Sequence, residues 1–82
     1  MSATRIRAID LKSWCNKELS PLAWQRITLK VAPVLFDHEI DYDQINNPSP
    51  GDLIEGAVLA SIFGSIEELY NVTVPVEVFQ KS

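Results

Sequence analysis

The chain has 82 residues, of which 46% are hydrophobic, and its seven basic and eleven acidic residues give a formal net charge of −4 at pH 7. This size suits one small domain, predicted over residues 1–82, and the apolar content excludes a disordered chain. The acidic balance argues against nucleic acid as a ligand. We expect no signal peptide, no membrane span, and a cytoplasmic location for a protein with a single cysteine.

The charges are distributed unevenly along the chain. Residues 1–30 contain six of the seven basic groups and two carboxylates, so this part carries +4. Residues 31–82 contain the other nine carboxylates and one basic group, so that part carries −8. Such asymmetry gives information about partners rather than about the fold.

The first predicted helix has Asp10 as its candidate N-cap. Its apolar residues recur at helical spacing as far as Leu19. Ser20 and Pro21 then end this helix and begin the next, because serine caps well and proline is favoured at the first helical position.

The second predicted helix has a sequence pattern that also fits a strand. Residues 26–31 also alternate like a strand, and Pro33 limits the helix interior, but helix is the favoured interpretation. Residues 37–52 follow as a polar connector rich in turn residues, for which a structured loop is predicted. The apolar stripe of the second predicted helix consists of Trp24, Ile27, Val31 and Leu35.

The clearest predicted helix runs from about Asp52 to Tyr70. Its apolar residues cover nearly half of the circumference, so at least two neighbours should contact it. Gly64 lowers helix propensity, which suggests that another backbone passes close to it.

The C-terminal segment, residues 72–79, has valine at alternate positions, which on its own predicts a strand. Pro75 would restrict that strand to a sheet edge. The predicted fold is all-α, a small bundle of three main helices with a short C-terminal helix or extended tail. The alternative is an α+β domain in which the tail pairs with residues 3–9.

No catalytic or metal site is predicted. The acidic segment around His38 fails the calcium-loop pattern in both possible registers, because glycine and glutamate are missing from the required positions. Cys15 lies on an apolar helical face, so a buried, inert thiol is expected rather than a nucleophile paired with His38. Glu67 and Glu68 point apart on a helix, so they do not form an acid–base pair. We predict no enzyme and no cofactor.

Three segments carry a family resemblance. In residues 63–79, FGSIEELYNVTVPVEVF, an apolar helix closes with Glu-Glu and an aromatic residue, before a valine-rich turn, a proline and a phenylalanine. Residues 32–53 contain a Val-Leu helix end, an EIDYD stretch and then Gly-Asp. These segments resemble acyl and peptidyl carrier proteins. Residues 3–19 resemble the carriers' last helix, so the chain resembles a circularly permuted carrier joined at residues 20–21.

The resemblance departs from the family at the modified residue. Carriers attach phosphopantetheine to a serine at the start of their second helix. Counting from the loop places Leu53 there, and counting back from Pro75 places Gly56 there; neither has a hydroxyl group. Ser49, Ser61 and Ser65 lie in other contexts, although a working carrier modified at an unrecognised serine remains an alternative.

The predicted function is a non-catalytic protein-interaction module of the inhibitor or adaptor type. The resemblance implies docking through acidic residues, and exposed carboxylates steer a partner with a basic surface. A homo-oligomeric structural protein, using the apolar face of residues 53–70, is a further alternative. The predicted partner-binding residues are Asp37, Glu39, Asp41, Asp43, Asp52, Glu55, Glu67 and Glu68.

Overall fold

The described part of the chain, residues 4–79, is mostly helical in the computed structural model. The predicted predominance of helix is therefore confirmed, but there are five α-helices rather than three, together with a small two-stranded sheet and a C-terminal 3₁₀ turn at Val76–Val78. The helices are α1 (Ala8–Glu18), α2 (Ala23–Lys30), α3 (Ala32–Asp37), α4 (Tyr42–Asn46) and α5 (Gly56–Tyr70), and the strands are β1 (Arg5–Arg7) and β2 (Leu53–Glu55).

The sheet pairs two segments that lie far apart in the sequence. β1 and β2 are antiparallel, with Ile6 opposite Ile54 and both side chains in the core. The alternative fold placed a strand correctly within residues 3–9 but gave it the wrong partner. The tail forms no strand within the described residues; it is irregular up to a 3₁₀ turn at Val76–Val78.

The predicted helix from about Asp52 was wrong at its start, because residues 53–55 form β2 and α5 begins at Gly56. Gly56 has a φ of +62°, a left-handed conformation that redirects the chain from strand to helix. α5 contacts α2, α3 and β2, so the prediction of at least two neighbours is confirmed. A Cβ atom at Gly64 would meet nothing within 4 Å, so the expected close backbone is not there.

The ends of the first helix differ from the prediction. α1 begins at Ala8, and Asp10 lies in its first turn rather than at the N-cap. The Arg7 guanidinium donates two hydrogen bonds to the Asp10 carboxylate, at 2.8 and 3.0 Å. α2 begins at Ala23, two residues later than Pro21, and the Asn16 side chain from α1 accepts a hydrogen bond from the Trp24 backbone N–H at 3.0 Å.

The predicted second helix is broken in two at Val31. Pro33 lies in the first turn of α3, where the N–H that proline lacks has no helical partner in any case. The apolar stripe continues across the break, because Trp24, Ile27, Val31 and Leu35 are all buried.

The connector, predicted as a loop, contains the short helix α4. Ile45 is its buried anchor, and the carbonyl of Ile45 accepts a hydrogen bond from the Trp24 indole N–H at 3.0 Å. This contact fixes α4 against α2. At the C-terminal end, Trp14 and Phe79 pack edge to face with ring centroids 6.2 Å apart, which ties the end of the tail to α1.

The buried polar side-chain atoms of the core form hydrogen bonds. Within residues 4–79, every buried side-chain nitrogen and oxygen has a hydrogen-bond partner. Thr28, which is fully buried, donates its hydroxyl to the carbonyl of Gln25 at 3.0 Å. In the same part of the chain, none of the helices has the length and apolar character required to cross a membrane.

Candidate functional site

A cleft of about 340 Å³ lies between β2 and the segment that runs from the end of α3 into α4. Three carboxylates line it, those of Glu39, Asp52 and Glu55. We call it the acidic cleft. Its apolar lining comes from the first residue of α1, the connector, β2 and the start of α5, and consists of Ala8, Ile40, Ile45, Leu53, Ile54 and Val58; His38 and Gln44 complete the lining.

Glu39 reaches the cleft through an unusual backbone conformation. It follows α3 with a φ of 57°, a left-handed conformation that glycine usually occupies at this position. The N–H of Ile40 bonds the carbonyl of Leu35 at 2.9 Å, and the N–H of Glu39 bonds that of Phe36 at 3.0 Å. This pair of bonds ends α3 and fixes the direction in which the chain leaves it.

Asp52 is held at the start of β2. Its carboxylate accepts a hydrogen bond from the backbone N–H of Ser49 at 3.0 Å, and its carbonyl accepts one from Ala8 at 2.9 Å. The carboxylate therefore stabilises the turn before β2 as well as contributing charge to the cleft.

Glu55 is the one carboxylate of β2. Its nearest ion-pair partner is Arg5 across the sheet, at 3.8 Å, and both side chains are more than half exposed. Solvent screens a pair of this kind, so it contributes little to stability. Glu55 is consequently available to a partner.

The remaining predicted residues of the connector, Asp37, Asp41 and Asp43, are exposed and flank the cleft-lining segment in sequence. Two large apolar side chains in the same parts of the chain are also exposed: Phe36 is 83% exposed, and Leu53, which lines the cleft, is 53% exposed. At Leu53 the cleft therefore combines negative charge with exposed apolar area.

Glu67 and Glu68 are not part of the acidic cleft. They lie eleven or more residues beyond Gly56 on α5, which corresponds to roughly 16 Å along a helix axis. Glu68 is 2.6 Å from the ammonium group of Lys30 on α2, whereas Glu67 is exposed. The structure thus divides the predicted set of carboxylates into two groups.

The residues considered for chemistry are kept apart. Cys15 is fully buried in the core, and burial raises the pKa of its thiol to about 12, whereas His38 is exposed at the wall of the cleft. A thiol with that pKa stays protonated at neutral pH and is a poor nucleophile. In residues 4–79, no three histidine, cysteine or acidic side chains cluster closely enough to hold a metal ion.

Of the two positions compared with the carrier serine, Leu53 lines the cleft, and Gly56 directly follows the lining residue Glu55. Leu53 belongs to β2, and Gly56 has the left-handed conformation that any residue with a Cβ adopts at a cost. Ser65 is buried within α5, Ser61 is partly buried there, and Ser49 is exposed in the turn before β2.

The sequence did not identify the apolar wall or Gln44 as parts of the site. The cleft exists because β2 pairs with β1, and the sequence pattern alone had assigned residues 53–55 to a helix. Leu53 and Ile54 are both apolar, so the sequence shows no alternation here; Gly56, which weakens a helical pattern, is the local signal that could have revealed the junction.

Comparison of the chain with protein-family models, with curated protein sequences and with solved structures finds no match.

Proposed function

We propose that this protein is a non-catalytic interaction module, carrier-like in organisation, that docks a protein partner with a basic surface at the acidic cleft. The observation that carries the proposal is the gathering of Glu39, Asp52 and Glu55 around an apolar floor. Of the described residues that line this cleft, none is lysine or arginine. A basic partner would supply the missing charge.

The composition of the cleft suits protein recognition. Apolar floor residues provide area to bury, and carboxylates at the margin set orientation and association rate. Exposed Leu53 adds an apolar contact on the strand itself. A protein surface that combines lysine or arginine with aliphatic side chains complements both features.

The carrier resemblance supports the same end of α5. In that family the partner is met through acidic residues along the second helix, which the resemblance equates with α5, and the modified serine lies at the start of that helix. The acidic cleft opens at this end of α5, with Gly56 where one alignment places the serine. The proposal is therefore a carrier-like domain without the prosthetic group, in the cytoplasm, where a single reduced cysteine is usual.

The test is selection of random peptides displayed on phage against the immobilised protein at low salt. We expect the selected peptides to be enriched in lysine and arginine alternating or mixed with aliphatic residues. The variant Glu39→Gln/Glu55→Gln should lose about tenfold or more in affinity for them, because it removes two charges from the cleft.

The matched control is Glu67→Gln/Glu68→Gln, which changes the net charge equally at the other end of α5. It should retain binding within about threefold, since only long-range attraction is reduced. Selected peptides without basic residues, or peptides that bind the cleft variant as well as the original protein, would contradict the proposal. Loss of binding only in the control variant would move the surface to Glu67 and Glu68 and also contradict it.

Intact mass tests the alternative of a modified carrier. After incubation with a broad-specificity phosphopantetheinyl transferase and coenzyme A, we expect no mass increase, because neither Leu53 nor Gly56 offers a hydroxyl group. A gain of one phosphopantetheine group would establish the carrier alternative and overturn the non-catalytic module.

A further inference from the structure

We propose that the partner enters the acidic cleft as an extended segment and adds a third, antiparallel strand to the free edge of β2. This inference rests on the proposed function and specifies the backbone conformation and chemistry of the partner. The occupant is a basic segment of another protein in which lysine or arginine alternates with aliphatic residues.

The hydrogen bonds of the sheet show which backbone groups of β2 face outward. The N–H of Ala8 bonds the carbonyl of Asp52 at 2.9 Å, just beyond the opposed residues Arg7 and Leu53. Arg7 and Leu53 are therefore a non-hydrogen-bonded pair, and the next pair along, Ile6 and Ile54, exchanges the hydrogen bonds. It follows that the N–H and C=O of Leu53, and the N–H of Glu55, point away from β1.

These three outward groups have no partner among the described residues. None of them takes part in the turn, loop, cap or side-chain hydrogen bonds of residues 4–79. A strand edge with unpaired donors and acceptors is a template for another strand, unless another part of the protein covers the edge or its charges repel the incoming strand.

The strand that carries this edge lines the cleft. Leu53, Ile54 and Glu55 all contribute to the lining, together with Ile40 and Gln44 from the connector. An extended segment lying in the cleft would therefore have β2 beside it. Its alternate side chains would face the apolar floor, and those between them would lie on the same face of the sheet as Leu53 and Glu55.

The charges around the cleft favour a basic partner over a second copy of this chain. A basic segment would complement Glu39, Asp52 and Glu55, whereas a second copy of this chain, joined through its own β2, would bring two sets of carboxylates together. The outer edge of β1 is a poorer site for the same partner, because Arg5 and Arg7 lie on that strand. The unpaired edge of β2 and the carboxylates of the cleft thus both favour a basic, extended partner at β2.

The probe for the experiment is a short synthetic peptide of alternating lysine and valine, blocked at both ends. In an added antiparallel strand, the residues that form hydrogen bonds with Leu53 place their side chains on the same face of the sheet as Leu53; in this peptide they are the lysines. The valines between them face the apolar floor and point their backbone N–H groups toward solvent. Two further peptides carry backbone N-methyl groups, one on alternate lysines and the other on alternate valines. They are matched in composition and charge.

We expect lysine N-methylation to weaken binding by about tenfold or more, and valine N-methylation to change it by less than about threefold, because only the first removes donors to β2. Hydrogen–deuterium exchange of the Leu53 and Glu55 amides, followed by NMR, should slow when the unmethylated peptide is bound. The comparison among the three peptides uses only the unaltered protein, so folding defects do not affect it.

The inference and the proposed function fail in different ways. Equal affinity of all three peptides, lost in Glu39→Gln/Glu55→Gln, would overturn strand addition and leave docking by charge. If Glu39→Gln/Glu55→Gln binds the unmethylated peptide as tightly as the unaltered protein does, the proposed function is overturned, together with the inference that rests on it. Slow exchange at Leu53 and Glu55 that depends on protein concentration alone would make a second copy the occupant and overturn the inference.

Discussion

Cys15 shows how burial alone changes the chemistry of one residue. The side chain is fully buried, and removal from water raises the pKa of its thiol from 9.0 to about 12. Burial disfavours the charged thiolate, so the folded protein keeps the proton over a range in which the unfolded chain loses it. The sequence predicted this inert thiol from the apolar face on which it lies.

The same shift makes stability depend on pH. Between pH 9 and pH 12 the unfolded chain binds fewer protons than the folded protein, so the free energy of unfolding should fall as pH rises. From about pH 9 to about pH 10.5 the loss attributable to Cys15 should be about 1–2 kcal/mol. Urea denaturation of the protein and of Cys15→Ala measures it.

Cys15→Ala lacks the thiol but retains the lysines and tyrosines that titrate in the same range, so it isolates the contribution of Cys15. The two stability curves should converge by this amount as pH rises. Parallel curves would show that the thiol pKa is not raised by folding.

At the scale of elements, the junction of β2 and α5 is the feature that creates the site. Gly56 turns the chain through a left-handed conformation, so β2 can pair with β1 while α5 packs into the core. Sequence periodicity gave a continuous helix here, because Ile54 and Val58 fit a helical stripe. The pairing of β2 with β1, which is distant in the sequence, overrides this local helical pattern.

Two glycine substitutions on α5 should have opposite effects. Gly56→Ala should lower the free energy of unfolding by about 1–2 kcal/mol, because an L-residue is strained in the left-handed region. Gly64→Ala should raise it by about 0.5–1 kcal/mol, because alanine favours the helix interior and its Cβ would meet nothing within 4 Å. Chemical denaturation of both variants compares them directly.

The same side chain is introduced into the same helix in both cases, so each variant is the control for the other. A stabilising Gly56→Ala would mean that residue 56 does not require a positive φ. A destabilising Gly64→Ala would mean that another part of the molecule approaches that face of α5.

At the scale of the whole molecule, the two oppositely charged parts of the chain meet within one fold. Arg5 pairs with Glu55 across the sheet, and Lys30 pairs with Glu68 between α2 and α5. The side chains in these pairs are 40–67% exposed, so each pair contributes little to stability. The carboxylates of the connector and cleft remain the concentrated negative region.

Stability and binding should therefore respond differently to salt. From about 50 mM to about 500 mM sodium chloride, the free energy of unfolding should change by less than about 1 kcal/mol, because the ion pairs are exposed. Over the same range the affinity for the lysine–valine peptide should fall about tenfold or more. Denaturation and calorimetric titration in the same buffers measure the two quantities.

The comparison has an internal control, since both measurements use the same protein sample. Salt-insensitive binding would contradict docking through the carboxylates. A large loss of stability in salt would instead show that the internal ion pairs hold the fold together.

The sequence by itself determined the helical majority, the buried stripe from Trp24 to Leu35, the inert Cys15 and the excess of acidic groups in the second part of the chain. These properties follow from local spacing and composition, which are written in consecutive residues. The tertiary structure alone decided the pairing of β1 with β2, the break at Val31 and the helix within the connector. Each of these depends on contacts between distant segments, as when the indole of Trp24 bonds the carbonyl of Ile45. The acidic cleft belongs to the second class, because its carboxylates come from segments that only the folded chain brings together.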